Sequence, residues 1–131
     1  MPSGLGQSFL TQPLVAQVTF ANADGTTAKA LVAAPSAYWR IVAINVTSDD
    51  TAAQVIRIFT RLSSTNYLLG SLSIPAGAGT AGAAPKEFFG DIMPANENGL
   101  DMGNSNGLQA SMEAAITSGK TVTVTVFYGF Y

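Results

Sequence analysis

Cysteine and histidine are both missing from this 131-residue chain, and charged residues make up only 11% of it, against roughly 25% in an ordinary globular domain. Without cysteine there are no disulfides, no thiolate metal sites and no cysteine nucleophile. Without histidine, Ser-His-Asp and Cys-His catalysis, imidazole zinc sites and the usual switch near neutral pH are excluded. No run approaches the roughly 18 apolar residues of a membrane-spanning helix. Residues 1–10 (MPSGLGQSFL) have neither a basic n-region nor an apolar h-region, so no secretion signal is expected. A net charge of −2 and a pI near 4.7 argue against a phosphate backbone as ligand. The basic residues Lys29, Arg40, Arg57, Arg61, Lys86 and Lys120 are scattered, with only Arg57 and Arg61 expected on one strand face. Neither nucleic acid nor a membrane is an expected partner.

The missing charge is replaced by Thr, Ser, Asn, Gly and Ala. Exposed faces of β-strands favour Thr and Ser, which is one explanation. The other is a surface covered by further subunits, where charges are costly to desolvate.

Residues 121–131 (TVTVTVFYGFY) carry the clearest structural signal. Val122, Val124, Val126, Tyr128 and Phe130 share one parity, and Thr121, Thr123, Thr125, Phe127 and Tyr131 share the other. Period-two alternation in β-branched and aromatic residues marks a strand with one face in a core. Each buried apolar side chain contributes roughly 1.5–3 kcal/mol before chain entropy is counted. A slip of one residue would turn the threonines inward, so the register is firmly specified and a central place in a sheet is expected.

Upstream, residues 1–13 (MPSGLGQSFLTQP) have no sustained period and read as an extended N-terminal arm, with Leu5, Phe9 and Leu10 as its apolar contacts; residues 14–131 read as one domain. Strands are expected over 14–20, 28–33, 38–47, 54–62, 67–74, 87–93 and 108–116, the last favoured over a helix. Asp24-Gly25 and Ser118-Gly119-Lys120 read as hairpin turns. Apolar parity changes within 38–47, which predicts a bulge near Val42-Ala43 or burial on both faces, and Trp39 is assigned to the core. In 54–62, Ile56, Ile58 and Leu62 point one way; Val55, Arg57, Phe59 and Arg61 point the other, a mixed face suited to a partner. Leu68, Leu72 and Ile74 are expected to share a side, with a bulge at Gly70. Residues 75–85 (PAGAGTAGAAP) read as a long loop or an arm lying on another surface. About eight short strands and no long helix describe an all-β, antiparallel, jelly-roll-like β-sandwich.

No catalytic constellation emerges. The acids Asp24, Asp49, Asp50, Glu87, Asp91, Glu97, Asp101 and Glu113 mostly fall in turns, where Asp commonly serves the backbone. Asn96, Glu97, Asn98, Asp101, Asn104 and Asn106 crowd one stretch with oxygen donors, but their spacing departs from the calcium-loop pattern. Gly77, Gly79 and Gly82 lack the lysine and the helix of a phosphate loop. Tyr38, Trp39, Tyr67, Phe127 and Tyr131 would make a sugar-stacking platform only if exposed together. Neither an enzyme nor a cofactor is expected.

One layout spans residues 38–131. It opens with Tyr38-Trp39-Arg40-Ile41, continues through Ile44-Asn45-Val46 into a polar turn, and follows with a strand carrying isolated arginines. A leucine strand closed by Ile74-Pro75-Ala76-Gly77 comes next, and a valine-threonine strand ending in aromatics finishes it. This layout resembles the small all-β virion proteins of tailed bacteriophages, of the capsid decoration or cement type. The resemblance implies a structural protein of the virion that binds the capsid surface at capsomer junctions. The partners so implied are other copies of the chain, for instance in a trimer, and the major capsid protein. A tail- or fibre-associated module binding a glycan or receptor is the alternative. The contacts expected to carry attachment are Leu5, Phe9 and Leu10 on the arm and Arg57, Phe59 and Arg61 on the mixed strand.

Overall fold

The structure, a computed structural model, describes residues 14–80, 83–87 and 99–130. The expected arm, with Leu5, Phe9 and Leu10, and most of the strand expected over 87–93 lie outside the described residues. The strands are β1 (Leu14–Ala21), β2 (Lys29–Val32), β3 (Tyr38–Ser48), β4 (Gln54–Leu62), β5 (Thr65–Ile74), β6 (Lys86–Glu87), β7 (Leu100–Asn104), β8 (Asn106–Met112) and β9 (Thr121–Phe130). One sheet runs β1-β9-β3, with β6 and β7 both pairing on the far side of β3; the other runs β2-β8-β4-β5. Every pairing between named strands is antiparallel. With β6 and β7 sharing one position, this order is the double Greek key of a jelly roll.

Strand β9 occupies the centre of the first sheet, as its alternation requires. Val124 sits opposite Val18 of β1 on one side and Val46 of β3 on the other, and Val122, Val124 and Val126 have no exposed surface. Its other face is polar: the Thr19 and Thr123 hydroxyls meet at 3.3 Å, and the Gln17 amide donates to Thr125 Oγ1 at 3.0 Å. From the second sheet, Ile56, Ile58, Leu72, Ile74, Leu108, Ala110 and Met112 close the core.

Two bulges correct the phase of otherwise awkward strands. Ile41 and Ala43 pair with the adjacent residues Tyr128 and Phe127 of β9, leaving Val42 as the extra residue. Trp39 and Ile41 thereby reach the same core as Ile44 and Val46, while Val42 is 44% exposed. In β5, Gly70 pairs with Ile58 and Leu68 with Phe59, so Leu69 is the extra residue. That bulge overturns one expectation: Leu69, not Leu68, packs against the core beside Leu72 and Ile74, and Leu68 is 56% exposed. Leu62, expected to face inward, is also exposed, because it is the last residue before the β4–β5 hairpin.

The two expected hairpins at Asp24-Gly25 and Ser118-Gly119-Lys120 are corrected as well. Both turns form, with positive φ at Gly25 (56°) and Gly119 (82°), a region glycine visits freely. The strands they join, however, enter opposite sheets: β1 and β2, and β8 and β9. A local turn reverses the chain but does not select which sheet receives the returning strand; burial of apolar faces does that.

The Gly/Ala loop does not reach beyond the sandwich where it is described. Ala78 is fully buried, its carbonyl accepts from Ser48 N–H at 2.8 Å, Gly77 N–H donates to Asp50 O at 3.0 Å, and Thr80 Oγ1 donates to Ser48 O at 2.8 Å. Small side chains let this segment lie flush against the end of β3.

Candidate functional site

Alternation along β4 sends Ile56 and Ile58 into the core and sets Val55, Arg57, Phe59 and Arg61 on the outer face of the second sheet. The expected grouping of Arg57, Phe59 and Arg61 is therefore present. Phe59 lies opposite Leu68 of β5 and Gln109 of β8. Arg57 pairs with Glu113 at 3.2 Å with both side chains about half exposed; such a pair contributes roughly 0–1 kcal/mol. Arg61 Nη1 donates to Asn66 Oδ1 at 2.9 Å, and Asn66 Nδ2 donates to Gln109 Oε1 at 3.4 Å. Leu68 and Asn66 follow from the register of the local hairpin. Gln109 comes from β8 and Glu113 from just past its end, both distant in sequence, and no local signal points to them.

Strand β5 borders this face and forms one edge of its sheet; among the described residues it pairs only with β4. A long edge normally carries a charge, a proline or cover, since its free N–H and C=O groups invite another strand. The other edges are guarded or short. On β1, the Lys29 ammonium donates to the Thr19 carbonyl at 2.6 Å, sits 2.9 Å from the Asp24 carboxylate and lies 5.2 Å from the centre of the Phe20 ring. The Lys29 hydrogen bond, aided by the Ala21 N–H, holds the Asp24 carboxyl below its usual range. Strand β2 has 4 residues, β6 has 2 and β7 has 5. By contrast β5 has 10 residues, TNYLLGSLSI, with no charge and no proline, and shows Tyr67 at 54% and Leu68 at 56% exposure. Among the described residues, its protection is the bulge at Leu69.

The aromatic platform does not assemble. Trp39 is buried and donates its Nε1–H to Asn106 O at 2.9 Å, and the exposed rings of Tyr38 and Tyr67 belong to different sheets. Tyr131 lies outside the described residues.

Of the oxygen-rich stretch, residues 96–98 fall outside the described residues, and the others serve the backbone or one another. Asp101 accepts from Gly103 N–H at 2.9 Å and pairs with Arg40 at 3.9 Å; Asn106 donates to Met102 O at 2.8 Å; Asn104 Oδ1 meets the Ser105 hydroxyl at 3.2 Å. Among the described residues, no group of three His, Cys, Asp or Glu side chains is placed to hold a metal ion, and no helix is long and apolar enough to cross a membrane.

The chain matches no protein-family model and has no significant match among curated proteins. A functional reading therefore rests on the sequence and the geometry of the molecule itself.

That geometry gives the one fully buried carboxylate among the described residues, Asp50, a structural task. Its Oδ1 accepts from Ala52 N–H at 3.0 Å; its Oδ2 accepts from the Gln54 amide at 2.7 Å and from Thr117 N–H at 3.0 Å. With the Gly77 bond to its carbonyl, Asp50 fastens three connections at one end of the sandwich. Burial pushes the carboxyl up, but the hydrogen bonds from Ala52, Thr117 and Gln54 outweigh it and hold it down to about 2.

Asp50→Asn should cost roughly 2–3 kcal/mol, because the new NH₂ must face an N–H donor wherever it is placed. A folded pKa held below the ordinary aspartate value of 3.8 means this stabilisation is complete above about pH 4 and lost as pH falls through about 2. Urea melts across pH 2–7 should show the gap between the two proteins closing only below pH 4.

Proposed function

We propose that this chain is a non-catalytic structural protein that works by adhesion to other protein copies, assembling as a homo-oligomer. The observation that carries this reading is β5, a ten-residue edge without charge or proline that displays Tyr67 and Leu68 beside the Phe59 face. An edge of that length is suited to strand addition, in which main-chain hydrogen bonds give affinity and alternate side chains give specificity. The low charge content agrees with a surface partly covered in the assembly.

The setting we propose is the virion of a tailed phage, with the chain decorating the capsid surface and gripping the major capsid protein at capsomer junctions. Support comes from the sequence layout over residues 38–131 and from the use of jelly rolls as viral capsid domains, an analogy at the level of fold. Imaging particles that carry and lack the chain tests this setting. Density on the outer shell supports it, and density confined to the tail or missing altogether contradicts it.

Leu68→Lys tests the adhesive edge. The side chain is exposed, so folding stability should change by no more than about 0.5 kcal/mol. Self-association should weaken at least about tenfold, equivalent to roughly 1.4 kcal/mol, because a charge now sits on the strand edge. Sedimentation equilibrium reads this directly; an unchanged association constant removes β5 from the contact.

A further inference from the structure

A hollow of about 210 Å³ opens on the second sheet, lined by Ala30, Val32, Ala34, Arg61, Gly107 and Gln109. Gly107 makes it possible for the chain leaving β2 to run close over β8. A Cβ at that position would sit 3.0 Å from Val32 O and 3.1 Å from Ala34 N, both backbone atoms. We propose that this hollow is a carboxylate pocket for an acidic side chain or chain terminus of a partner protein; the choice of a protein source rests on the adhesive reading above.

The charge pattern points there. Lys29 lies 2.9 Å from Asp24, Arg40 3.9 Å from Asp101 and Arg57 3.2 Å from Glu113. Arg61 alone among the described arginines meets no described carboxylate; its one guanidinium bond goes to the neutral Asn66 oxygen. Asn66 in turn donates to Gln109 Oε1, which commits the Gln109 carbonyl as an acceptor and leaves its NH₂ to donate. The polar end of the hollow is thus rich in donors, and a guanidinium fork matches a carboxylate with two parallel bonds. The aliphatic walls of Ala30, Val32 and Ala34 fit a methylene stem. Among the described residues no aromatic ring lines the hollow to stack on a sugar, and a single guanidinium without a second described cation is a poor match for a polyphosphate chain.

The test uses the full chain, ¹⁵N-labelled, titrated with propionate and with propionamide, then with acetyl-Ala-Glu-Ala-amide and with glucuronate. Expected are saturable shifts of the Gly107 amide and the Gln109 side-chain NH₂, with propionamide binding at least tenfold more weakly than propionate. Arg61→Gln should lose at least tenfold in propionate affinity and Arg57→Gln less than twofold, and the peptide should bind more tightly than glucuronate. Equal binding of acid and amide, an equal loss in Arg57→Gln, or preference for glucuronate would overturn the proposal. Acid-selective binding in a chain whose association ignores Leu68→Lys supports the pocket and counts against the adhesive edge. Association that depends on Leu68, without acid-selective binding, overturns the pocket alone.

Discussion

Val124→Asp should abolish the cooperative fold. Val124 has no exposed surface and sits in register between Val18 and Val46, at the middle of the central strand of its sheet. An ionised carboxylate there has no partner, and burying one unpaired is so costly that the group would neutralise instead. Even neutral, it forfeits roughly 1.5–3 kcal/mol of apolar burial and adds roughly 1–3 kcal/mol for unsatisfied polar atoms. Those losses approach the roughly 5–15 kcal/mol that holds a typical domain together. Thr123→Asp, one residue away on the polar face, gives up the contact with the Thr19 hydroxyl and should still melt cooperatively. Far-UV circular dichroism and thermal melts of the pair decide the matter: a soluble, cooperatively melting Val124→Asp would mean that β9 faces the other way.

Trp39→Ala should be the most damaging truncation. The indole is fully buried, meets Tyr128 edge-on with ring centres 5.6 Å apart, and donates to Asn106 O at 2.9 Å, tying β3 to the start of β8 in the other sheet. Removing it leaves a large cavity, at roughly 3–5 kcal/mol, and orphans a carbonyl. The melting temperature should fall by roughly 10–20 °C for a chain of this size. Trp39→Phe keeps most of the packing and loses the N–H bond, so its cost should be nearer 1 kcal/mol. Urea titrations that rank Trp39→Ala no worse than Trp39→Phe would contradict the role given to the cavity.

Much of the fold is legible where the chemistry is local. Alternation placed β9 in the centre of a sheet and set the bounds of β4 at Gln54 and Leu62, as found. The parity change at Val42 allows a bulge or burial on both faces, and the bulge is what forms; the glycine at position 70 marks a second bulge, also present. Choices that depend on distant partners are harder to read. The turns at Gly25 and Gly119 look like hairpin turns, yet they feed strands into opposite sheets, because burial across the sandwich decides where a strand docks. Leu68 and Leu69 differ by one position, and only the exact place of the bulge says which faces inward.

The same division holds for the mixed face. Arg57, Phe59 and Arg61 share a parity, so their grouping is visible in the chain alone. Asn66 follows from the local hairpin, but Gln109 and Glu113, which also set what those arginines can bind, arrive through pairings that no short window contains. The charge-free edge of β5 is also visible only once the strand order is known, since the same residues in a central strand would be unremarkable.

Amide hydrogen exchange along Thr65–Ile74, at high and at low protein concentration, tests the central claim most directly. If β5 is an adhesive edge, its outward amides are protected at high concentration and become fast on dilution or in Leu68→Lys, while those bonded to β4 stay slow throughout. Outward amides that exchange freely at every concentration, in a chain that sediments as a single copy, would contradict the claim.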